Sequence, residues 1–151
     1  MIGGGDYKAI PDSMFQCREL NTTVFPMQFQ EKARMQYPRH GHSVASIADT
    51  YILVSGSRKE VSQASNKVEL YDSQQDEWLE IQPISEGRHY HSSATFDNRF
   101  IYVFGGITNA TKKYSNTIEM LQFSLATIQT AKWTQLALNN LAYYDTGVTP
   151  I

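Results

Sequence analysis

Apolar and small polar positions along the chain fall into short runs separated by turn residues. HSVASIA (42–48), ILVSG (52–56), NKVELYD (66–72) and EWLEI (77–81) come first, followed by HSSATF (91–96), IYVFGG (101–106), NTIEMLQF (116–123) and KWTQLAL (132–138). Runs of this length, rich in β-branched and aromatic residues and broken at Asp49-Thr50 and Asp97-Asn98-Arg99, predict strands joined by tight turns. No segment of 11 or more residues carries apolar positions at i, i+3, i+4 and i+7, which excludes a helical bundle or a helical solenoid. The pattern predicts an all-β chain.

The runs repeat. Shifted by 49, residues 39–57 (RHGHSVASIADTYILVSGS) lie over residues 88–106 (RHYHSSATFDNRFIYVFGG). The pairs Arg39/Arg88, His40/His89, His42/His91, Ser43/Ser92, Ala45/Ala94, Ile52/Ile101, Val54/Val103 and Gly56/Gly105 are identical, where unrelated segments of this length would share roughly one. The match continues at a shift of 50, with SNKVELYD (65–72) over SNTIEMLQ (115–122), and ends with Trp78 over Trp133 at a shift of 55. Growing offsets locate insertions between strands. Four short antiparallel strands every ~50 residues is the period of a propeller blade.

At this point the residues resemble the kelch-repeat family. The resemblance is carried by Gly105-Gly106 after IYVF, the pair Tyr71-Asp72 ahead of Trp78, the Arg-x-x-His-Ser openings at Arg39 and Arg88, and the third-strand acids Glu69 and Glu119. The chain departs from the pattern at Ser57, where a second glycine is expected, and at Leu121-Gln122, where an aromatic-acid pair is expected. The resemblance implies kelch-type β-propeller blades of four antiparallel strands. Residues 1–38 form a partial blade, 39–87 and 88–138 two full blades, and 139–151 an inter-blade loop or truncated tail. In the first unit Gly3-Gly4-Gly5 stand for the glycine doublet, Met14 to Arg18 for the third strand, and Val24 to Met27 for the fourth, with Phe25 at the tryptophan position. About 2.5–3 blades make an incomplete propeller, since closure takes 4–8. The expectation is a fragment of a longer propeller, or a short chain whose edges partners cover.

Composition narrows the function. Thirteen Lys+Arg against 15 Asp+Glu leave a net charge of −2, and no window gathers the positive charge that nucleic acid requires. The longest apolar runs are far too short to span a bilayer. MIGGGDYKAIPD has no basic segment leading into an apolar run, so it does not read as a secretory signal. One cysteine, Cys17, allows no internal disulfide and fits a reducing compartment. A cytoplasmic, cytoskeleton-associated setting is the expectation. The sequons at Asn21-Thr22-Thr23 and Asn109-Ala110-Thr111 are read as chance matches, and no phosphate-cradling loop, Gly-x-Ser-x-Gly elbow or HExxH is present.

Most repeated residues point to architecture. Glycine at Gly56, Gly105 and Gly106 permits positive φ or close approach of a neighbour. Tyr71, Trp78 and Trp133 offer large rigid surfaces for packing blade on blade. Arg39 recurs with Glu69 and Arg88 with Glu119, predicting that each pair forms an ion pair within or between blades. All four histidines lie in His-x-His pairs, His40/His42 and His89/His91. Packed sheets sit ~10 Å apart and Zn–N bonds are ~2.0–2.1 Å, so pairs on two blades cannot share an ion. His42 and His91 are therefore expected to bond neighbouring backbone, with His40 and His89 more exposed; neither a metal nor another cofactor is implied.

The resemblance implies a docking platform whose rim comprises the loops 57–65 and 107–115 and the inter-blade loops 30–41 and 82–90. The expected partner-binding residues are Arg58, Lys59, Thr108, Asn109, Lys112, Lys113, His40, His89 and Tyr90. Their positive charge suits an acidic or phosphorylated peptide. The implied function is a non-catalytic protein-interaction scaffold: substrate recognition for a ubiquitin ligase, an actin-associated scaffold, or a subunit of a large assembly. The alternative is a propeller enzyme with a metal or sugar site at the central channel.

Overall fold

A computed structural model describes residues 12–60, 63–108 and 114–136. A short 3-10 turn at Asp12–Phe15 leads into strands β1 (Cys17–Asn21), β2 (Gln28–Lys32), β3 (Ser43–Ile47), β4 (Tyr51–Glu60), β5 (Gln63–Asp72) and β6 (Glu77–Ile81). They are followed by β7 (Arg88–His89), β8 (Ser92–Phe96), β9 (Phe100–Phe104), β10 (Ile107–Thr108), β11 (Ile118–Gln122) and β12 (Trp133–Gln135). All pairing is antiparallel. Strands β3-β4-β5-β6 form one four-stranded meander and β8-β9-β11-β12 another. These are two propeller blades related by the sequence repeat. Among the described residues no helix is long and apolar enough to cross a membrane.

The two blades share one core. Leu53, Val68, Leu70 and Ile81 of the first meet Ile101, Val103, Leu121 and Phe123 of the second, with Ile84 of the linker fully buried. Every other residue of β3 points inward, as its alternating burial shows, because side chains of a strand alternate between faces. The first strands lie side by side, with Ser43 Oγ and Ser93 Oγ 2.7 Å apart and Ala48 N donating to Asn98 Oδ1 at 2.9 Å. The turns after them use positive φ at Ala48 and Asp49 and again at Asp97 and Asn98, the backbone that a tight hairpin's twist demands.

Two sequence expectations are corrected here. The stretch 57–65 is not one open loop: residues 57–60 and 63–65 are strand. The ladder of β4 and β5 steps over Gly56 and resumes with Ser57 opposite Ser65 and Arg58 opposite Ala64. A single left-handed glycine (φ 64°) makes a bulge that the ladder absorbs. In the next blade Gly105 and Gly106 are both left-handed (φ 60° and 85°), and two such residues in succession turn the chain off the sheet. Its continuation, β10, pairs instead with β7. The departure at Ser57 thus coincides with a longer hairpin arm.

The first unit is also shifted. Its outer strand is β2, not Val24 to Met27, and its third strand begins at Cys17, beyond the 3-10 turn. Asn21 Oδ1 accepts hydrogen bonds from Thr23 N (2.9 Å) and Thr23 Oγ1 (2.7 Å), a side-chain-built turn. Pro26 can donate nothing to a ladder. Phe25 is 97% exposed, so it packs no blade. Phe29, opposite Leu20, holds the register place that Trp78 holds opposite Tyr71. Gly3 to Gly5 and residues 139–151 lie outside the described residues.

Candidate functional site

The junction between the blades is built from residues that recur. Arg39 Nε and Nη2 donate to Glu69 Oε2 at 3.0 and 2.7 Å, and Nη1 donates to the carbonyls of Gly56 (2.7 Å) and Lys67 (3.0 Å). Glu69 Oε1 accepts the backbone N–H of Gln36 in the preceding linker at 2.6 Å. One repeat on, Arg88 Nη2 donates to Glu119 Oε1 at 2.6 Å and Nη1 to the Gly105 carbonyl at 2.9 Å, while Glu119 Oε2 accepts Ser85 N at 2.7 Å. All four charged groups are essentially excluded from water. Each pair lies within one unit, and its carboxylate ties the incoming linker to the blade. Trp78 Nε1 donates to the Ala33 carbonyl (2.8 Å) and Trp133 Nε1 to that of Gln82 (2.9 Å). Each outer tryptophan therefore caps the end of the preceding unit, and Tyr71 packs on Trp78 with ring centroids 5.0 Å apart.

Gly56 lies directly against the next blade. A Cβ at this position would stand 2.3 Å from the Arg88 carbonyl oxygen and 2.5 Å from His91 Cε1. His91 is buried, and its Nε2 lies 2.9 Å from Ser55 Oγ. Its partner is thus a side chain of the neighbouring blade, not the nearby backbone the sequence suggested, because the glycine gap lets the ring reach across the seam. Burial, reinforced by Arg88, His42, His89 and Arg39, holds the His91 pKa well below its usual value.

His91 stays neutral when folded and takes up a proton near pH 6.5 when unfolded, so stability is present above that value and falls as the pH drops through it. From pH 7.5 to 5.5 His91 alone is expected to remove about 1.4 kcal/mol. His89, also depressed, acts in the same direction. Denaturant melts across this range check the slope, which should flatten in His91→Asn.

The rim above the seam gathers His40, Arg58, His89 and Tyr90. Arg58 N donates to the His40 carbonyl at 2.8 Å, and His40 N to Ser57 Oγ at 3.0 Å. Ser57, which the sequence marked only as a departure, thus links His40 to the hairpin arm. Tyr90 N donates to the Gly41 carbonyl at 2.7 Å. The Tyr90 ring stands edge-on to His89 (centroids 4.9 Å) and to His40 (6.1 Å). It also lies over Gly41, where a Cβ would meet it at 2.8 Å. Tyr90 itself has φ 53°, a conformation costly for a bulky L-residue. The repeat places Gly41 (φ 63°) at the same position, so a glycine in one unit aligned with tyrosine in the next was the signal that could have found this strain.

Other expected contact residues fare differently. His89 is only 8% exposed and Thr108 only 3%, so neither is an exposed loop residue. The β7-β10 pairing sets Thr108 opposite Arg88 and Ile107 opposite His89, and that packing buries them. The Lys59 side chain, Asn109, Lys112 and Lys113 lie outside the described residues. Among the described residues no three His, Cys, Asp or Glu side chains gather as metal ligands would. A polar cleft of about 350 Å³ lies along the two first strands, lined by Val44, Ser46, Ser93, Thr95 and Asn98 among others.

No family model matches the chain. It is 34% identical over 92 residues to alpha-scruin of Limulus polyphemus, covering 60% of this chain and 10% of that protein. It is 27% identical over 139 residues to Kelch-like protein 25 of Xenopus tropicalis, covering 91% of this chain and 22% of that protein. An F-box/kelch-repeat protein of Arabidopsis thaliana is 29% identical over 89 residues, 58% of this chain and 21% of its own length. The chain therefore spans a quarter or less of these curated relatives. Among solved structures YjhT superposes with a TM-score of 0.64 at 18% identity, covering 83% of this chain and 46% of that one.

Proposed function

Since this chain carries kelch-type repeats on propeller blades, we propose that it acts as a protein-interaction module that docks an acidic or phosphorylated segment of its partner at the rim of the blade junction. The observation that carries this reading is Tyr90, held in a left-handed conformation beside Arg58, His40 and His89. Strained residues persist where the surroundings over-determine them, and they concentrate at sites of recognition. Aromatic and arginine side chains also dominate the energetics of protein contacts. A positive, aromatic-floored rim matches carboxylate or phosphate. Relatives named for kelch repeats support an interaction role in general, and partner identity is carried by the rim, not by the scaffold.

The test separates fold from function at one residue. Tyr90→Gly relieves the backbone, so its melting temperature is expected to equal or exceed that of the native chain. The same change is expected to weaken partner retention by about 30-fold or more, the effect of losing a contact worth ~2 kcal/mol. Arg58→Glu should abolish retention without unfolding the chain. Both are checked by quantitative pull-down beside thermal melts, and a Tyr90→Gly chain that keeps its partners at native affinity would sink the proposal.

A further inference from the structure

We propose that His89 couples docking at this rim to proton uptake, so that an anionic partner is held more tightly as the pH falls. This rests on the rim being the docking surface. The geometry is unusual for a histidine. His89 is more than nine-tenths buried, yet among the described residues its Nδ1 has no hydrogen-bond partner, and a buried polar atom left unsatisfied calls for an explanation. Its neighbours are not arranged to retain a proton in the free protein. Arg58 of β4 and His40 of the linker ahead of β3 both act on it electrostatically against a positive charge, and buried His91, two residues on, is coupled to it as well. Arg88, beside it on β7, is already engaged by Glu119. The residues paired from β10, Ile107 and Thr108, carry no titratable group, and Tyr90 presents a ring edge.

Among the described residues, then, no carboxylate offsets a charge on His89. Burial, with Arg58 and His40, depresses its pKa. An oxyanion bound at the rim reverses this balance. It supplies opposite charge beside Arg58 and His40 and offers an acceptor, while a protonated imidazole presents donors at both nitrogens. Binding anion and proton are therefore mutually favourable. Below the free midpoint of His89 little further gain follows; between the free and bound midpoints affinity should rise by up to about tenfold per pH unit.

Sulfate is a suitable probe, since its charge is constant across this range. Imidazole resonances of the full chain are followed by NMR from pH 8 to 5.5 with and without sodium sulfate, at matched ionic strength. Sulfate is expected to raise the His89 midpoint by roughly half a unit or more, while buried His91, held far below its usual pKa, stays neutral throughout the range. In His89→Gln, sulfate should still bind at pH 7.5 but lose its added affinity at lower pH. If sulfate shifts His40 while the His89 midpoint stays put, the coupling is overturned and the docking reading stands. Binding that survives Arg58→Glu would mark an adventitious ion only and overturn the coupling, as would no perturbation at His40 and His89. The docking reading is judged separately, by partner retention in Tyr90→Gly and Arg58→Glu.

Discussion

Replacing Glu119 with alanine is expected to lower stability by about 3–5 kcal/mol, because it strands the charge of Arg88 in a site sealed from water. Arg88 is 1% exposed and Glu119 0%, so solvent cannot take over the lost partner. The same change frees Ser85 N, which Glu119 Oε2 holds at 2.7 Å, and thereby loosens the linker that enters the blade. Glu119→Gln keeps the shape and some hydrogen bonding but removes the charge, and it should fall between alanine and the native chain. Replacing both partners, Arg88→Met with Glu119→Leu, should recover much of the loss, since a buried ion pair is dear to break and often cheap to exchange for packed apolar groups. Urea melts of the native chain, Arg88→Met, Glu119→Leu and the double variant give the double-mutant cycle. A Glu119→Ala chain of native stability would mean that the pair does not hold the blade together.

Gly56→Ala is expected to cost about 2–5 kcal/mol, the sum of ~1–2 for a left-handed L-residue and ~1–3 for overpacking. The overpacking cannot be relieved by a side-chain rotation, because the atom met at 2.3 Å is the backbone oxygen of Arg88. The two blades must separate there, which also pulls His91 away from Ser55. A distinctive accompaniment follows: an opened seam lets water reach His91, so the acid sensitivity of the native chain should diminish in Gly56→Ala. Melting curves at pH 7.5 and 5.5 test both effects together, and an alanine variant as stable as the native chain would contradict the close approach described here.

Much of this architecture was legible because a repeat is its own internal control. Arg39 with Glu69 and Arg88 with Glu119 recur at separations of 30 and 31 residues, and a buried charge tolerated twice at equivalent positions has to be matched twice. The strand pattern was readable where apolar positions ran between turn residues, as in β4, β9 and β6. It failed in the first unit, where Val24 to Met27 looks apolar enough for a strand. There the local competition between Asn21 capping Thr23 and the missing donor of Pro26 decides for a turn, leaving Phe25 to solvent. The resemblance failed at residues 57–65, which it placed in a rim loop although backbone pairing extends to Glu60 opposite Gln63.

Sequence alone determined the all-β blades, their period and the partners of the buried charges, because those follow from spacing along the chain. Only the tertiary structure decided that His89 is buried, that His91 bonds across the seam, that Thr108 is buried and that Tyr90 stands strained over Gly41. These properties depend on how closely one blade approaches the next. That distance is set at Gly56 and Gly41 by atoms about 30 to 50 residues away, and no local pattern encodes it.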